Sequence, residues 1–184
     1  MSLENIVRVC APTLAGLKTG SIVTLAHDGC PEFNASVSGL NRILREKGLL
    51  AVPLKQTRNS AILYIFRPEQ LKRDLKGSEA AQILEEKGYS QPGVNGLICE
   101  LISRMREGGE FPHEIGLFLG YPPEDVRGFI ENNAAGCKCA GLWKVYGDVE
   151  TAKKRFASYR KCSRVYSECF RRGIPLEKLA VKTA

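Results

Sequence analysis

The chain has 184 residues, 43% of them hydrophobic and 26% charged, which suffices for a globular core and excludes a disordered, collagenous or disulfide-stapled class. Its formal net charge of +7 raises the question of a polyanionic partner, yet residues 134–184 alone hold 12 Lys and Arg against 4 Asp and Glu. The remainder is close to neutral, so the sequence describes a basic C-terminal region. The first residues, MSLENIVRVCAP, carry neither a basic leader nor a long apolar run, and no stretch reads as a membrane span. Seven cysteines without an export signal predict thiols in a reducing cytoplasm, and a single domain over 1–184 is expected.

In chain order, Leu3, Ile6, Val7 and Cys10 share one face of a helix that Pro12 is expected to end, with Cys10 in the core. A glycine-punctuated turn around Gly16, Lys18 and Gly20 then leads into a strand carrying Ile22, Val23 and Leu25. Lys18 is a candidate anion contact in that turn, although Gly20 is not followed by the Lys-Ser or Lys-Thr of a phosphate loop. His27, followed by Asp28, is a second candidate ligand residue at the strand's end. Asn34 is expected to cap a helix that buries Val37, Leu40, Ile43 and Leu44 and stops at Gly48. Residues 49–55 and 61–67 read as a hairpin around the polar turn 56–60, with Pro53 demanding an edge position or a bulge.

A helical middle follows over 68–76, 78–87 and 94–106, with Ser78 as an N-cap and Cys99 expected to pack inside. REGGE links it to the segment 111–133, FPHEIGLFLGYPPEDVRGFIENN. Pro112 suits a first helical turn, Gly120 a left-handed stop, and Pro122 and Pro123 open a second helix whose dipole Glu124 and Asp125 complement from the surface. The result is a helix-turn-helix-like unit at 112–132. Residues 140–147 supply a further strand, where Trp143 and Val145 alternate with Lys144 and Tyr146. Asp148 caps a long basic helix over 149–172, with Ala152, Phe156, Tyr159, Tyr166 and Phe170 on its apolar side and Gly173 as its stop. The fold class that follows is α+β: a small mixed, mostly antiparallel sheet of about four strands covered by helices.

HEIGLFLGYPPEDVRGFI, GLWKVYGD and YRKC, together with APTLAGLKTGS, RILREKGL and LYIFRP, resemble the uncharacterised bacterial family catalogued as domain of unknown function 3793. The resemblance spans nearly the whole chain. It implies a single cytosolic domain, and it brings no activity, cofactor, substrate or active-site residue to carry over.

Three kinds of chemistry can be weighed on the residues. Sequence-specific nucleic-acid binding would use the helix-turn-helix spacing, but Glu114, Glu124, Asp125 and Glu131 stand there against Arg127 alone, and acids face phosphates badly. An enzymatic polar cleft would join His113 and Glu114 to Lys144 and Tyr146 as base, acid or anion contacts. Metal or redox chemistry would use Cys137 and Cys139, with Cys162 and Cys169 on one helical face, though the paired hooks of a zinc site and the His-x-Glu of zinc deaminases are absent. The leading expectation is a cytosolic ligand-binding or regulatory protein. Its basic helix would dock an acidic protein partner, or a second copy of the chain through the acids at 124 and 125.

Overall fold

The structure is a computed structural model that describes residues 1–107 and 110–183, which leaves Gly108 and Gly109 of the REGGE linker outside it. The elements begin with α1 (Leu3–Leu14), β1 (Gly20–Ala26), α2 (Cys30–Arg45), β2 (Leu50–Gln56) and β3 (Ser60–Phe66). Next come α3 (Pro68–Leu75), α4 (Ser78–Glu86), α5 (Gly93–Arg106), α6 (Ile115–Phe118) and α7 (Pro123–Glu131). The chain closes with β4 (Cys139–Ala140), β5 (Lys144–Val145), α8 (Val149–Arg171) and α9 (Leu176–Leu179). They fall into two compact units, Met1–Glu69 with Lys161–Ala184, and Gln70–Arg160.

In the first unit β3 lies between β1 and β2, and both pairings are antiparallel. Ala61, Leu63 and Ile65 alternate along β3 and join Val23 and Leu25 of β1, Ile6, Val7, Cys10 and Leu14 of α1, and Phe33, Val37, Leu40 and Leu44 of α2 in one core. Period-two alternation in the strands meets period-3.6 stripes in the helices, which is how a sheet face and two helices close over each other. Pro53 sits at a register shift on an edge strand, as its missing N–H requires. The Asn41 side chain holds α2 to β2, accepting from the Ala51 N–H and donating to its carbonyl, each at 2.8 Å.

Three helix boundaries differ from the sequence expectation. Pro12 lies inside α1, which runs on to Leu14, because a proline near the C-terminal end forfeits only its own N–H while later amides still close their turns. The true stop is Gly16, at φ +77°, where the Leu17 N–H donates to the Pro12 carbonyl and the Gly16 N–H to that of Thr13, the two bonds of a Schellman ending. α2 starts from Gly29 rather than Asn34, and the Asn34 amide oxygen instead accepts from Gln56 at 2.9 Å. Gly77, with Ser78 as the first helical residue, occupies the N-cap expected of Ser78.

In the second unit, the strand expected over 140–147 does not enlarge the sheet of the first. Cys139 and Ala140 pair with Val145 and Lys144 in a separate two-stranded ribbon, because Gly141 and Leu142 turn the chain back after two residues. Trp143 is the centre of this ribbon's core, stacked on Tyr121 at 4.8 Å and edge-on to Phe156 at 4.4 Å, with Val145, Ala152 and Tyr159 around them. α6 is a single turn closed by Gly120 at φ +76°, and α7 opens on Pro123 in its first turn. Gly116 lets the two approach, since a Cβ there would meet Val126 Cγ2 at 2.7 Å.

Candidate functional site

The segment 111–133 is organised by Asp125. This carboxylate is 3% exposed and accepts three hydrogen bonds, from Trp143 Nε1 at 2.7 Å, the Tyr146 N–H at 2.7 Å and the Gly147 N–H at 2.8 Å. Its expected place on the surface, complementing a dipole or a second copy, is corrected by that burial. Position N3 of a helix serves both roles, and here the apolar ribbon beside α7 offers two aligned N–H groups that a carboxylate satisfies better than water would. Glu124 remains exposed. Glu131 of the same segment is matched to Arg127, which also pairs with Glu79 and Glu86.

The four residues weighed as a polar cleft are placed as follows. The His113 ring lies edge-on to Phe129 at 5.0 Å with Glu110 3.6 Å from its Nε2. Glu114, its neighbour in sequence, points inward at 4% exposure and accepts from the Tyr89 hydroxyl at 3.0 Å, with Arg104 at 4.0 Å. Arg104 also covers the Tyr89 ring at 4.2 Å, and burial and then the Glu114 charge push the Tyr89 hydroxyl's pKa far up. Lys144 donates to the Ala134 carbonyl and Tyr146 to that of Ala135, so both fasten the turn in which Asn133 and Ala134 adopt φ of 47° and 64°. Lys144 also lies 6.0 Å from the Phe129 ring. His113 and Lys144 therefore border one aromatic ring, while Glu114 and the Tyr146 hydroxyl are committed elsewhere.

Cys137 and Cys139 are half-buried and unpaired, and Cys139 packs against the Trp143 cluster. Among the described residues no three His, Cys, Asp or Glu side chains gather as a metal site would need. Cys99 is exposed on α5, contrary to the expectation that it packs. One apolar face of a helix ends where its neighbours end, and Leu101, Ile98 and Met105 already fill that face.

In the first unit, Lys18 follows the Gly16 stop, and burial lowers its pKa to about 8. Burial raises the Cys10 thiol to about 12, an effect that the Lys18 charge opposes. His27 is 9% exposed, its ring 4.9 Å from Phe33, and neither ring nitrogen has a hydrogen-bond partner among the described residues. The residue that sequence reasoning passed over is Arg67, 2% exposed. Its only sequence signal is a charged side chain closing the apolar run ILYIF before Pro68.

A model of the family described as Protein of unknown function (DUF3793) matches residues 6–180. The chain belongs to this family. No curated protein and no solved structure matches it. The matched span of the family covers Asp125 and Trp143, Lys18, Arg67 and the whole of α8, so every cluster above lies inside the family's extent.

Proposed function

We propose that this family member is a regulatory binding protein whose docking surface is the exposed face of α8, and that its partner is an acidic protein surface. One observation carries the reading. On the side of α8 away from Ala152, Phe156, Tyr159 and Cys162 stand the exposed cations Lys154, Lys161 and Arg164, with the exposed Arg160 on the flank, and none of the four forms an ion pair among the described residues. The helix's own acids are spent near its ends, Glu150 on Lys153 and Glu168 on Arg171 and Arg172. Exposed like charges in a row sum to a local positive potential, which costs the fold little and draws an opposite charge onto the surface.

An acidic polypeptide suits this row better than nucleic acid. Of the aromatic rings of α8 that could stack on bases, Phe156 and Tyr159 are buried and Tyr166 and Phe170 pack partly buried on the core of the first unit, and Glu150 and Glu168 bracket the basic run. A second copy would have to use Glu124 without Asp125, which is buried. The family model runs across both units, which supports reading 1–184 as one domain, and seven unpaired cysteines support a reducing cytoplasm. Among the described residues no helix is long and apolar enough to cross a membrane. An enzymatic role around His113 keeps one supporting observation, the shared border of His113 and Lys144 on Phe129.

The test is a triple charge reversal, Lys154→Glu with Arg160→Glu and Arg164→Glu, assayed against a labelled polyglutamate peptide. We expect affinity to fall about tenfold or more while the melting temperature holds, because exposed charges contribute little to folding. Undiminished binding by the folded variant refutes the reading. Tighter binding of wild type to RNA than to the peptide hands the surface to nucleic acid.

A further inference from the structure

Arg67 keeps a full positive charge away from water, and burial lowers its pKa from the usual guanidinium value, partly offset by Tyr166. All five of its N–H donors are used. Nε donates to the Thr13 carbonyl at 2.8 Å, Nη2 to the Leu14 and Val181 carbonyls at 2.8 Å each, and Nη1 to the Lys47 carbonyl at 3.3 Å and the Thr183 hydroxyl at 3.0 Å. Every acceptor is a neutral oxygen, and no carboxylate bonds the guanidinium among the described residues. A buried cation is ordinarily matched by an anion.

Two of those five acceptors belong to residues 181–183, whose side chains are exposed. The Val181 N–H also donates to the Leu14 carbonyl at 2.9 Å. We propose that residues 181–183 are a displaceable strap, and that Arg67 beneath them is a receptor for an oxyanion, carboxylate or phosphate, carried by a ligand. The two donors that the strap occupies sit one on each terminal nitrogen, the pair that grips two oxygens of such a group side by side. Bonds to a charged acceptor are roughly twice as strong as those to a carbonyl or hydroxyl. The space beside the guanidinium depends on Gly16, where a Cβ would meet Thr183 Cγ2 at 2.7 Å and lie 3.8 Å from Arg67 Cζ. Lys18, two residues on, adds a partly buried positive charge to the same turn. The strap competes from within the chain at high effective concentration, so an added anion binds weakly while the strap is intact.

The probes are inorganic phosphate and acetate, titrated at constant ionic strength against chloride, with the Arg67 Nε–H proton signal followed by NMR in the full chain. Thr183→Val removes one strap bond at an exposed side chain. It should bind the probes about tenfold more tightly than wild type, and in wild type the same anions should speed hydrogen exchange at the Val181 amide. Acetate acting as well as phosphate points to a carboxylate ligand, and phosphate alone to a phosphorylated one. The α8 triple variant should respond at Arg67 as wild type does, which separates this proposal from the docking surface. Equal affinity in Thr183→Val and wild type, unchanged Val181 exchange, or an anion effect on melting that leaves the Arg67 signal still, meaning an adventitious ion only, overturns it.

Discussion

At Lys18 the surroundings hold the ammonium near a pKa of about 8 against an ordinary 10.5, and this fixes a sign. Between those values the unfolded chain carries the proton and the folded chain has lost it, so this residue's contribution to stability rises with pH. Cys10 works in the opposite sense, since a thiol raised from 9.0 to about 12 stays protonated in the fold while the unfolded chain ionises above 9.0. Denaturant melts of wild type and Lys18→Met at pH 7, 9 and 10 should therefore show wild type gaining on the variant as pH climbs. A constant gap would contradict the burial of Lys18. Thiol reactivity orders itself by exposure and thiolate character. Cys99, exposed, should label first in the native protein, and Cys10 and Cys162, the latter raised to about 11 by burial, should label last, with mass spectrometry of timed digests giving the order.

At the scale of elements, Asp125 ties α7 to the ribbon through one side chain, and the cost of losing it follows from three donors left without an acceptor. Asp125→Ala should destabilise by about 3 kcal/mol or more, and Trp143→Ala by about 3 to 5 kcal/mol, both read from denaturant midpoints. Because Trp143 bonds Asp125, the double variant should cost less than the sum of the two. Gly128 lies directly against the Tyr146 ring, so Gly128→Ala, mild on an open helix face, should here be strongly destabilising. These ties mark where sequence reading stops. Local chemistry was legible: Pro53 at a bulge, Gly48 and Gly120 at helix stops, Asp148 accepting from the Glu150 and Thr151 N–H groups. Asp125 was misplaced because an acid in a helix's first turn looks alike on a surface or under a tryptophan 18 residues away. Arg67 left no pattern, because its acceptors are backbone carbonyls and one hydroxyl, at separations from 20 to 116 residues.

For the whole molecule, the charge that composition announced is concentrated where a single helix displays it, and α8 is the feature from which a partner can be inferred. The same helix was legible in sequence down to its cap and its apolar stripe, because amphipathic periodicity and a clustered charge both survive without knowledge of the fold. What the sequence could not supply was which cations keep a carboxylate beside them, since that depends on rotamers and neighbours. The measurement that bears most directly on the docking surface is the salt dependence of binding between the native protein and a labelled acidic peptide, repeated with the α8 triple charge reversal. Wild-type affinity should fall steadily as salt rises and the Debye length shrinks below about 10 Å, and the variant should bind weakly with little remaining salt dependence. A variant that retains wild-type affinity and the wild-type salt slope would contradict the assignment of α8 as the surface that meets the partner.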